Sequence, residues 1–229
     1  MNTNSNSYTI IYASVIVVIV AFALAFTSAS LRPAQNKNIE LDKMKQILHA
    51  LNVDTKGQKA DKVYAKYVTA DQILNTEGKV IAQEGGFKIN MAKEMHKPAN
   101  ERQLPLYVCN VDGQTKYVIP VSGSGLWGAI WGYIGLNDDK NTVYAVYFSD
   151  ESETPGLGAE IASAHFQEEF PGKKVLKDNQ IALGVEKYGK VTDPTYQVDG
   201  VSGGTITSKG VDAMIKNCMG QYNKFLTNK

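Results

Sequence analysis

Cysteine is nearly missing from this chain: its 229 residues include only Cys109 and Cys218. Two thiols are too few for a disulfide scaffold, and their spacing suits neither a zinc nor an iron–sulfur site, so both are expected in the core. Histidine is equally sparse. His49, His96 and His165 are scattered, with no second ligand-type residue at metal spacing, and no metal site is expected. Charge is nearly balanced, 24 basic against 23 acidic side chains, which leaves no basic face for nucleic acid, so none is expected as a partner. No GxGxxG run follows a first strand, so a nicotinamide site is not supported, and no internal repeat is found. The most local absence is of charge itself: residues 1–31 contain no Asp, Glu, Lys or Arg.

That absence frames an apolar run over residues 8–29, which as a helix reaches about 30 to 35 Å, enough to cross a hydrocarbon layer. Residues 1–7 lack the basic n-region of a cleavable signal, so they read as a polar tail and residues 8–30 as a retained single-pass anchor. Arg32, Lys37, Lys43 and Lys45 follow the span, and by the positive-inside rule they would keep what comes next in the cytoplasm. Residues 31–38, with Pro33, are expected to be a polar connector, and residues 39–229 one domain.

Apolar residues Ile39, Leu41, Met44, Ile47, Leu48 and Leu51 have helical spacing and start that domain. Residues 61–68 extend the helical pattern, residues 72–83 read as two short strands about Glu77-Gly78, and residues 85–100 as irregular surface. The clearest hairpin is LYVCNV, Asp112-Gly113, TKYVIPVSG, and LWGAIWGYIGL and NTVYAVYFSD continue it as an antiparallel sheet. Trp127 and Trp131 are expected in the core. The loop at 151–161 enters a helix carrying Ile161, Ala164, His165 and Phe166. NQIALGV and PTYQVDGV read as strands. The fold class is therefore α+β: a transmembrane helix, then an antiparallel sheet flanked by helices.

PTYQVDGV delivers the chain into DGVSGGTITSKG, residues 199–210. Beyond it Val211, Met214, Ile215, Cys218, Tyr222, Phe225 and Leu226 mark one face of a helix. A glycine turn feeding a helix start can hold an anion. Its first N–H groups have no partner inside the helix, the dipole puts partial positive charge there, and Ser202, Thr205, Thr207, Ser208 and Lys209 add hydroxyls and a cation. The same pattern also serves as a plain helix cap.

DGVSGGT resembles the flavinylation motif of the FMN-binding domain family, in which a flavin transferase esterifies the last hydroxyl to the phosphate of FMN. Matched residue by residue, Asp199, Ser202 and Gly203 take the recognition positions, Gly204 stands where Ala is usual, and Thr205 is the attachment residue. The N-terminal span, GSGLWG at 123–128 and ETPGLG at 153–158 extend the resemblance to the whole chain. In that layout the chain is similar to the flavin-bearing C subunits of sodium-translocating NADH:quinone reductases. The alternative is the G subunits of Rnf ferredoxin:NAD oxidoreductases. The resemblance implies an electron-relay subunit of a bacterial inner-membrane complex, with covalent FMN, sodium transport elsewhere in the complex, and a periplasmic domain. It implies neighbouring membrane subunits and a flavin transferase as partners, and no complete catalysis by this chain alone. The flavin ring is expected between Leu126 and Trp127 on one side and Thr154, Gly156 and Leu157 on the other. An anchored binding module that holds a phosphorylated ligand reversibly is the reading without covalent flavin.

Overall fold

The computed structural model describes residues 5–228; residues 1–4 of the expected polar tail, and Lys229, lie outside the described residues. The chain divides into two compact units, 1–43 and 44–229. Helix α1 (Asn6–His49) supplies the first and enters the second. It is long and apolar enough to cross a membrane, and the apolar side chains of its first half are exposed. The connector expected at 31–38 is instead continuous helix, with Pro33 inside it. Proline costs one intrahelical bond, but the residues around it, Ala34, Gln35, Lys37 and Glu40 among them, are good helix formers.

In the second unit α2 (Ala60–Tyr67) leads into β1 (Val68–Leu74), and β2 (Val80–Ala82) pairs back on it. The stretch expected as irregular surface contains a short helix, α3 (Met91–Met95), capped where the Asn90 side chain accepts the Lys93 N–H. Strands β3 (Leu104–Val111) and β4 (Gln114–Ser124) form the expected hairpin. Its turn uses Asp112 at φ +51° and Gly113 at φ +81°, the left-handed pair that a two-residue hairpin requires. Strands β5 (Ala129–Leu136) and β6 (Val143–Asp150) complete a six-stranded antiparallel sheet in the order β2-β1-β3-β4-β5-β6. The helix expected after residue 158 is only a 3₁₀ turn and the four-residue α4 (Ala164–Gln167). Strands β7 (Leu176–Lys177) and β8 (Gln180–Ile181) pair antiparallel, while β9 (Gly184–Glu186) and β10 (Gln197–Asp199) pair in parallel. Helices α5 (Thr205–Gln221) and α6 (Asn223–Thr227) close the chain.

Alternation along the strands sends side chains to two cores. Leu104, Leu106, Ile119, Val121, Ile130 and Phe148 face α5, through Val211, Met214, Ile215 and Cys218. Tyr107, Cys109, Val118 and Tyr133 face the other way, against Ile47 in the last turn of α1 and Ala50 and Leu51 just past its end. The two cysteines are both buried and free, in separate clusters. Burial pushes the Cys109 thiol up to about 12 and also raises that of Cys218. Helix α5 lies close on β4: a side-chain carbon added at Gly123 would stand 2.8 Å from Met214 Cβ. This seats the first turns of α5 beside the far end of β4, where the β4–β5 turn begins.

Candidate functional site

Three segments meet at that end of the sheet. The first is the β4–β5 turn, closed by a hydrogen bond from the Gly125 N–H to the Gly128 carbonyl at 2.8 Å. The second is the 153–158 loop after β6. The third is the glycine turn that starts α5.

A buried carboxylate joins them. Glu153 is 6% exposed; its Oε2 accepts the Thr207 hydroxyl at 2.6 Å and its Oε1 the Trp127 N–H at 2.8 Å. Burial alone would raise its pKa, but the Thr207 hydroxyl and the N–H groups of Trp127, Gly128 and Leu126 outweigh that cost and hold the carboxyl below the usual glutamate range. The surrounding backbone is close: a Cβ at Gly158 would collide with Glu153 Oε2 and Thr207 Oγ1 together, and one at Gly125 would collide with Oε1.

The glycine turn is held independently. Ser208, buried, donates its hydroxyl to the Gly204 carbonyl at 2.9 Å and accepts the Val201 N–H at 2.9 Å. Gly203 has φ +79° and Gly204 is the N-cap, so no side chain caps α5. The cap role open to this stretch in the sequence is thus not filled by Thr205, which is the first helical residue. Within the described residues its hydroxyl makes no hydrogen bond, and the N–H groups of Thr205, Ile206 and Thr207 find no acceptor. Three unpaired N–H groups at the positive end of a 17-residue helix, beside a half-buried hydroxyl, fit a phosphate ester at that hydroxyl.

Ser202 and Gly203 are exposed on the turn beside Thr205. Asp199 faces a different neighbour: its Oδ1 accepts the Gly189 N–H at 2.7 Å, so its carboxylate braces the 187–190 loop. Thr207 offers the site its N–H, since its hydroxyl is used by Glu153. Thr154 and Gly156 are exposed on the second segment, where Leu157 lies against the glycine turn; a Cβ at Gly204 would approach the Leu157 carbonyl to 3.1 Å. Trp127 is not a core residue as expected but 68% exposed, because the tight turn turns its backbone N–H inward to Glu153 and its ring outward. Trp131 is half-buried and donates its indole N–H to the Gln46 amide oxygen at 3.2 Å. Leu126, Leu157 and Ile206 are also open, 47%, 44% and 57% exposed, so all three segments present apolar surface. A flat, largely apolar ring system fits such surfaces.

Sequence reading passed over Glu153 and Ile206. Ile206 had a signal, since it falls off the buried stripe of Thr207, Val211, Met214 and Cys218 and yet is apolar. Glu153 opens the ETPGLG run, but its pairing had no local signal, because its partners lie 26 and 54 residues away.

The FMN-binding domain family matches residues 125–220, which span all three segments. Among curated proteins, the C subunit of the Na(+)-translocating NADH-quinone reductase of Haemophilus ducreyi is 32% identical, over 96% of this chain and 91% of its own length. The crystal structure of the corresponding C subunit from Parabacteroides distasonis is 42% identical, with a TM-score of 0.80, over 87% of this chain and 98% of that one. The structure of NqrC from Shewanella oneidensis, 24% identical with a TM-score of 0.70, shares the fold over 84% of this chain and 100% of its own. With a relative of that identity aligned along nearly the full length of both chains, and the fold shared with the solved neighbours, the chain belongs to the family of C subunits of the Na(+)-translocating NADH-quinone reductase.

Proposed function

We propose that this chain is the electron-carrying C subunit of a Na(+)-translocating NADH-quinone reductase and that it holds FMN through a phosphoester to Thr205. The observation that carries this reading is the start of α5, where a hydroxyl with no hydrogen bond stands beside three unpaired N–H groups and next to the exposed Leu126, Trp127, Leu157 and Ile206. FMN, when bound, supplies the electron-transfer chemistry. The chain's own residues do the rest. The N–H groups of Thr205, Ile206 and Thr207 hold the phosphate charge, the apolar side chains and the 154–157 backbone line the ring, and the ester prevents loss of the cofactor. Ser202, Gly203 and Asp199 are the positions a flavin transferase would read.

The relatives named above are C subunits, which favours this reading over the G subunit of an Rnf complex. The other subunits of the reductase are its partners, quinone reduction and sodium movement belong to the complex, and α1 is this chain's single membrane crossing. We place the domain on the periplasmic side, against the basic residues that follow the span. An introduced surface cysteine labelled by an impermeant maleimide in intact spheroplasts agrees with that side; protection until lysis refutes it.

The test of the site is mass. The full chain is co-expressed with a flavin transferase, denatured in acid and weighed beside Thr205→Ala. An FMN-sized increment on the native chain and none on the variant is expected. No increment, with the transferase active on another substrate, leaves an anchored module that binds its phosphorylated ligand reversibly.

A further inference from the structure

Glu153 is a buried charge without a counter-charge. No Lys, Arg or His pairs with it within the described residues, and dipoles alone stabilise it: the Thr207 hydroxyl and the N–H groups of residues 126–128. Buried and without a counter-charge, its carboxylate is screened less than an exposed one. Each hydrogen bond of the carboxylate also ends on a segment that bears the exposed apolar residues. Toward the turn it fixes the Leu126–Trp127 tip; toward the helix it fixes Thr207, two residues past Thr205. Gly125 and Gly158 let the backbone close in on both carboxylate oxygens.

We infer that Glu153 is the positioning residue of the flavin site and the fixed negative charge that lowers the flavin's reduction potential. The inference rests on the FMN reading above. By joining the tip of the β4–β5 turn to the first turn of α5, Glu153 keeps the apolar surface and the attachment hydroxyl at one spacing. An electron taken up there without a proton adds a negative charge, and an unpaired carboxylate close by makes that addition less favourable. A positive group in its place would do the opposite.

Glu153→Gln separates charge from shape. Its amide oxygen accepts the backbone N–H groups, its NH₂ donates to the Thr207 oxygen, and only the charge is lost. Glu153→Asp keeps the charge and shortens the reach by one carbon. Full-length wild type, both variants and Glu153→Ala are each co-expressed with the transferase, weighed for covalent FMN and titrated with dithionite. The Gln variant is expected to carry FMN at wild-type occupancy with its midpoint potential shifted positive. The Asp variant should stay near the wild-type potential, with lower occupancy, and the Ala variant should lose most of its covalent FMN. A fully flavinylated Gln variant at the wild-type potential overturns the charge role, as does an Asp variant as positive as Gln. Undiminished occupancy in Ala overturns the positioning role. No covalent FMN on the wild-type chain is a different result: it removes the FMN reading, and this inference with it.

Discussion

Thr205, Thr207 and Ser208 carry similar hydroxyls within four residues, and the fold gives each a separate duty. Ser208 locks the glycine turn, Thr207 satisfies a buried carboxylate, and Thr205 alone has its oxygen free to react. The place of Thr205 was legible because a glycine turn followed by helical spacing locates a helix start, and a first-turn hydroxyl lies beside unpaired N–H groups wherever that happens. The duty of Thr207 was not, since it depends on Glu153. That pairing has a pH signature. The native hydrogen bonds depress the Glu153 pKa, so its stabilisation is complete above the unfolded glutamate value of about 4.3 and is lost as pH falls through the lower, folded value. Below about pH 4.3 the melting temperature of the wild type should therefore drop more steeply than that of Glu153→Gln. Asp139 and Asp193, whose pKa values are also depressed, are common to both proteins and cancel in the comparison. Parallel curves down to pH 2 would mean that the buried carboxylate contributes nothing to acid unfolding.

Among the elements, β4 and α5 control the site, because their close packing sets where the first turn of α5 lies against the β4–β5 turn. Gly123→Ala puts a carbon 2.8 Å from Met214 Cβ and pushes the two elements apart. Overpacking of this kind costs about 1–3 kcal/mol. We expect that loss in urea unfolding, together with reduced covalent FMN; full stability and full occupancy would show that α5 can shift without disturbing the site. The sheet could be read in the sequence because its strands are rich in β-branched and aromatic residues, and Asp112-Gly113 fixes a register. The parallel pairing of β9 with β10 could not, as three residues per strand carry too little pattern to choose a partner. Residues 31–38 misled because their polarity and proline match a linker, whereas the continuity of α1 across them rests on helix propensity on both sides. The tip of the β4–β5 turn misled similarly: tryptophan is usually interior, and only the inward demand of Glu153 for the backbone N–H turns the Trp127 ring out.

At the scale of the whole molecule, the useful boundary falls inside a helix, not between helix and domain. Ile47, Leu48 and Leu51 are fully buried, and burial of each is worth about 1.5–3 kcal/mol. A chain that begins at Asn38 should be soluble and melt as a folded domain. One that begins at Val53 loses those side chains, uncovers Tyr107, Val118 and Tyr133, and should aggregate. Equal solubility of the two would show that the second core does not need α1. The apolar span was readable from its lack of charge, and Pro33 adds a prediction of where along it water begins. Having no N–H, it leaves the Ala29 carbonyl without its helical partner, and hydrocarbon offers no substitute donor. Ala29 should therefore meet water, and isotope-edited infrared of that single carbonyl should give a hydrated band. Counting back about 20 residues puts the opposite boundary near Ile10, so one missing proton acts as a depth mark for the span.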